Sequence, residues 1–256
     1  MLRISKAQVE AFKPIALADF ETQMVAHSER FSPTLSSVLG KDQLRVVVRS
    51  AVEVASRYGF TFTGPVRLFI ELGFLFGSGF HADPQYPWAH EFLADPDPQT
   101  QMPRAQELHA RSVEAMDRIN GPGDLYLDAA FERIRAFGED IPMVRPVEVP
   151  TVALSAMCEV HPEKAAFVGE PALRALIEAG EVEAKERGIY EGRDIVLLLT
   201  LMFAFGRGCT DDPLYPWISR TLSNERIPDP ARRVRQLHRK ALTWVRAVLE
   251  NKRRAS

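Results

Sequence analysis

Apolar residues recur along the chain at three- and four-residue intervals and never alternate with polar ones for long, a pattern that predicts an all-α protein. Near the start, Ser5 and Gln8 have capping-box spacing. Val9, Phe12, Ile15, Phe20 and Met24 then form a stripe that Pro14 is expected to kink or restart and Ser32-Pro33 to end. Asp42 is placed to cap the next helix, where Leu44, Val47, Val48, Ala51 and Ala55 share a face and Gly59 supplies the stop. Gly64-Pro65 opens a third helix, apolar on nearly every side from Val66 to Phe76 except at Arg67 and Glu71, which predicts a central position. Its length, initial proline, terminal glycine and Leu and Phe content favour helix over strand. After a proline-rich loop at 94–103 come a helix from Pro103 to Ile119, with Leu108, Val113, Met116 and Ile119 inward, and another from Leu125 to Phe137. Glu139 to Pro150, with three prolines, reads as a linker. A long helix from Pro230 to Asn251 carries Leu237, Ala241, Trp244, Val245 and Val248 on its buried side.

This pattern occurs twice. Leu68 to Trp88 returns as Leu197 to Trp217, every matched residue lying 129 positions further on, with Asp83 on Asp212, Gly77 on Gly206 and Trp88 on Trp217. The alignment runs without a gap from Pro33 to His109 and holds 21 identities over residues 31–119, of which 12 fall between Leu68 and Leu93. Self-similarity of this kind predicts an internal duplication. The expected organisation is two tandem related helical bundles: a first repeat at 1–121, a helix and Pro-rich linker at 122–150, and a second repeat at 151–256.

Composition narrows the function classes. A net charge of −2 lacks the basic excess of a nucleic-acid binder. Only two cysteines occur, Cys158 and Cys209, in no Cys-x-x-Cys pair, so zinc knuckles and a disulfide framework are not expected. The first thirty residues carry charges throughout and lack the apolar stretch of a secretory signal, and the longest apolar runs fall short of the roughly 20 residues a membrane span takes. A cytoplasmic protein is the expectation.

The most specific short element is Asp-Pro-x-Tyr-Pro-Trp, present in both copies. Read structurally, Asp83 and Asp212 cap the helix that follows, the prolines set the loop, and Tyr86, Trp88, Tyr215 and Trp217 close each bundle with their polar atoms satisfied at its edge. Read functionally, the same aromatics anchor a partner. His109 and His238 also recur, and with Asp83 and Asp212 they are candidates for an acid–base pair or a metal site, although a catalytic metal takes three protein ligands and no His-Glu-x-x-His is present. Gly77-Ser-Gly79 and Gly206-Arg-Gly208 lack the Gly-Lys-Ser/Thr of a phosphate loop and read as helix ends. The two thiols read as buried packing. The last thirty-one residues hold ten Lys or Arg, among them Arg232, Arg235 and Arg239, which form either a solvated face or a docking face for an acidic protein.

The opening Leu2 to Phe12 and the stretch from Leu72 to Trp88 resemble small helical bacterial proteins of type VI secretion effector clusters. That resemblance implies an accessory role, a chaperone or adaptor that helps load an effector, or an immunity protein holding a toxin inactive; it carries over no catalytic residue. The expectation is a non-enzymatic protein-binding module without a cofactor, in which the two bundles offer two similar grooves or one composite surface through Asp83, Tyr86, Trp88, Asp212, Tyr215, Trp217, Arg232, Arg235 and Arg239. The rival is a small-molecule or metal-binding enzyme using the Asp83/His109 and Asp212/His238 pairs. Membrane and nucleic-acid partners are not expected.

Overall fold

The computed structural model describes residues 6–94 and 96–255. Its regular elements are all helical: α1 (Lys6–Phe31), α2 (Pro33–Arg57), α3 (Thr63–Phe76), α4 (Pro87–Leu93), α5 (Gln101–Asn120), α6 (Leu125–Glu139), α7 (Val149–Val160), α8 (Pro162–Val168), α9 (Glu170–Glu186), α10 (Gly192–Phe205), α11 (Pro216–Leu222) and α12 (Pro230–Ala255). Short 3-10 turns join some of them, and no strand occurs among the described residues. None of the described helices is long and apolar enough to cross a membrane.

α3 and α10 are the most deeply packed helices, as their nearly unbroken apolar sequences require. α3 lies against α1, α2 and α5, and α10 against α7, α9 and α12. Both bounds of α10 lie 129 residues after those of α3, and both bounds of α11 lie 129 residues after those of α4. Gly40, with φ 73°, breaks α2, and Gly169, with φ 81°, separates α8 from α9 at the matching place. The two interiors are filled differently. Glu71 in α3 receives a 2.7 Å bond from His27, whereas Thr200 of α10 turns back on Val196 O. Met202 stands where α3 has Gly73, and its bulk is taken up by Gly180 of α9, where a Cβ would stand 2.9 Å from Met202 Sδ and 2.3 Å from Leu199 Cδ2.

The structure departs from the sequence pattern in several places. α1 runs through Pro14 as one helix: the proline forgoes one backbone bond, while packing of α1 on α2 holds the rest. The cap expected at Ser5 and the side chains of Val9, Phe12 and Ile15 lie outside what is described. A helical segment does restart beside Asp42, after the break at Gly40, but Gly40 holds the cap position as Gly169 does ahead of α9, and the Asp42 carboxylate pairs with Arg45 at 2.9 Å. Val113 is exposed, since the inward stripe of α5 runs through Ala105, Leu108, Ala115 and Ile119 and leaves Val113 one position off it. Cys209 is buried as expected, but Cys158 is exposed.

The segment read as helix and linker is folded into the body. α6 packs on α5, α7 and α12, and Ile141 and Val144 are buried just after it. Val144 O approaches so close to the start of α10 that a Cβ on Gly192 would stand 2.3 Å away. Apolar side chains from Met24 to Ala241 form one connected core.

Candidate functional site

The two Asp-Pro-x-Tyr-Pro-Trp loops meet each other. α3 ends at Gly77 (φ 91°, ψ 148°) and α10 at Gly206 (φ 96°, ψ 150°), backbone conformations that a side chain would strain. A Cβ on Gly77 would lie 2.5 Å from Phe205 O, and one on Gly206 would lie 2.9 Å from Phe76 O. The glycines are thus helix ends, as expected, and also the contact that lets the two backbones touch. Across this seam the loops exchange hydrogen bonds reciprocally. Asp83 accepts from the Arg207 N–H (2.6 Å) of the second loop, and Asp212 accepts from the Ser78 N–H (2.8 Å) of the first. With the other oxygen each carboxylate turns its own loop, Asp83 on Gln85 N (2.9 Å) and Asp212 on Leu214 N (2.8 Å).

That geometry corrects the capping expectation. α4 and α11 start after Tyr86 and Tyr215 with no side-chain cap. Asp83 and Asp212 are instead buried latches between loops, and burial pushes both carboxyls above their ordinary range although the backbone N–H groups oppose it. Tyr86 and Tyr215 are buried against Phe76 (4.8 Å between centroids) and Phe205 (4.7 Å). Trp88 and Trp217 stand edge-on to the same two rings and are half-buried; their indole N–H groups have no acceptor among the described residues, contrary to the expectation of satisfied edges. Of the nine residues expected to face a partner, four, Asp83, Tyr86, Asp212 and Tyr215, are therefore buried at or beside the seam, and Trp88 and Trp217 are half-buried against its phenylalanines.

The aspartate–histidine pairs do not form. His109 is exposed on α5 beside Arg67 and Glu71, and His238 bonds to Gly138 O; neither is hydrogen-bonded to Asp83 or Asp212. Among the described residues, no three His, Cys, Asp or Glu side chains converge as metal ligands would.

The remaining three, Arg232, Arg235 and Arg239, do come together. With Arg193 at the start of α10 and Arg226 in the loop before α12 they line a groove of about 1130 Å³, which also holds Glu191, Asp194, Asp229 and His238. Arg232 and Arg235 share Asp229 at 3.8 and 3.7 Å. Arg193, Arg226 and Arg239 make no salt bridge among the described residues. Gln236 Oε1, in the same wall, is buried without a donor among the described residues. Burial pushes the Asp194 carboxyl up, with Arg235 and Arg193 opposing. The opposite end of α12 is different: Arg246, Lys252 and Arg253 are paired with Glu139, Asp128 and Glu132 of α6. Sequence reasoning missed Arg193, which lies far from the basic C-terminal stretch, and counted Arg226 in that stretch without singling it out. The chain matches no protein-family model, no curated protein and no solved structure.

Proposed function

We propose that this is a non-enzymatic, cytoplasmic protein-binding module that takes an acidic segment of a partner into the arginine-lined groove at the start of α12. The observation that carries this reading is the convergence of five arginines from two helices and a loop, three of them without a salt bridge among the described residues. Guanidinium groups present forked donors to carboxylates, and an excess of them in a cleft steers an acidic chain towards it. The resemblance of the opening and of the first loop to helical proteins of type VI secretion effector clusters favours an effector as the partner and an adaptor role, with toxin neutralisation as the alternative. The matched element bounds and the reciprocal Asp83 and Asp212 bonds support descent of both halves from one duplicated unit. In that duplicate the groove belongs to the second half alone, since Arg232, Arg235 and Arg239 fall on Pro103, Gln106 and Ala110.

The test is fluorescence anisotropy with a labelled acidic peptide. Saturable binding that weakens as salt is raised, and that drops about tenfold or more when Arg193, Arg226 and Arg239 are all changed to Ala, is the expected outcome. Equal binding by wild type and the triple variant would refute it.

A further inference from the structure

A second cavity, of about 430 Å³, lies beside the seam and draws its walls from both halves: Phe76 and Phe205, Tyr86 and Tyr215, and Leu35 and Lys164 all line it in pairs 129 residues apart. The aromatic pairs are identical. The third pair is not: a leucine in the first half is a lysine in the second, so one copy has placed a cation where the other keeps an aliphatic wall. Lys164 is 5% exposed. Its Nζ donates to Phe203 O and stands 5.5 Å from the centroid of the Tyr86 ring and 4.9 Å from that of Phe203. It has no carboxylate within ion-pair distance among the described residues, Asp83 acting on it only through the field. The Tyr86 and Tyr215 hydroxyls, near enough to influence each other electrostatically, make no hydrogen bond to the described residues.

A buried ammonium retaining N–H groups to donate, beside two free phenols, is costly unless something accepts from them. Trp244, Phe131 and Met116 extend the cavity as apolar wall. A site with one cation, two hydroxyl donors and aromatic walls, whose lining carboxylate, Asp124, is held by Asn120 Nδ2 at 3.1 Å, suits a single negative charge on an apolar body. A phosphate monoester would bring nearly two charges against one lysine and no arginine.

We propose that this cavity binds a hydrophobic monocarboxylate, its carboxylate taken by Lys164 Nζ and the hydroxyls of Tyr86 and Tyr215, its apolar body lying among Phe76, Phe205 and Trp244. Burial lowers the Lys164 amine to about 8, still mostly charged at neutral pH, and a bound carboxylate raises it again. The site lies apart from the arginine groove, with which it shares no lining residue.

Titration calorimetry of the full chain with decanoate and with decanol tests this. Saturable decanoate binding at least about tenfold tighter than decanol is expected, because the two differ only where Lys164 and the phenols act. In Lys164→Met that preference disappears while decanol binding persists, which also shows that the chamber is intact; Tyr86→Phe with Tyr215→Phe lowers it severalfold. Decanol bound as tightly as decanoate by wild type, no saturable binding of either, or an undiminished preference in Lys164→Met would each overturn the proposal.

Discussion

The two Asp-Pro-x-Tyr-Pro-Trp loops have the same backbone and different surroundings. In each, a glycine at positive φ ends the central helix, an aspartate latches onto the opposite loop, and a tyrosine and a tryptophan pack on the last phenylalanine. Around that constant piece the neighbours differ. Beside the first loop Tyr58 bonds to His81 at 3.0 Å and packs against its ring. At the matching positions the second loop has Arg187 paired with Asp211 and Glu183, and Thr210 bonded to Glu183. Lys164 stands in the cavity wall where the first half has Leu35. What fits the opposite loop is the same in both halves; what faces elsewhere differs in charge.

Breaking the shared part should have the largest effect. Gly77→Ala combines a forbidden φ with a 2.5 Å approach to Phe205 O, and about 4 kcal/mol of stability should be lost, measured by urea unfolding. Gly206→Ala, with 2.9 Å to Phe76 O, should cost somewhat less, and equal tolerance of both would mean that the loops are not in contact. The Lys164/Leu35 difference comes next. Because the folded-state pKa of Lys164 is depressed from 10.5 to about 8, the folded chain binds that proton less tightly than the unfolded one, so stability rises between pH 8 and 10.5 and the penalty is fully present below pH 8. Lys164→Met should remove this slope and gain up to about 3 kcal/mol at pH 7, whereas Leu35→Met should leave it untouched.

Asp83→Asn replaces an acceptor with a donor facing the Arg207 N–H and should cost about 2 kcal/mol; Asp212→Asn does the same to Ser78 N–H. Their raised pKa gives the opposite sign to the lysine. Acidification through their folded-state values relieves the burial of charge, so the gap between wild type and Asp83→Asn has a component that changes in that range and is flat above it, which unfolding curves at several pH values will read. Gly180→Ala crowds Met202 and Leu199 and should cost about 1–2 kcal/mol, whereas Ala51→Gly, at the matching place in the first half, meets no such constraint and should cost only the price of a helical glycine, below about 1 kcal/mol. Smallest is Arg253→Ala: an exposed pair with Glu132 is worth about 0.5 kcal/mol or less.

Much of the secondary structure was legible because helices answer to local rules. The apolar runs of α3 and α10, the glycines after them, Leu125 to Phe137 and the long basic α12 could each be found from spacing and end signals. Val113 and Asp42 were misread where one residue of phase, or a glycine two residues earlier, decided the outcome. The repeat drew attention to the right loop but not to its role. An aspartate before a proline looks the same in sequence whether it caps its own helix or a loop 124 residues away. Lys164 left a faint signal, a charge aligned with Leu35, that carries meaning only once both are seen in one wall.

An all-helical fold, the positions of the central helices and the identity of the two loops follow from residue order alone, because periodicity and glycine stops act within a few residues. Long-range packing settles the rest: the loops lock into each other, the expected linker is part of the core, the arginines of α12 divide between a paired end and an open groove, and a lysine sits among the paired aromatics. Those outcomes depend on which surfaces meet at long range, where burial sets the cost of each charge and the close approach of two backbones sets the need for each glycine.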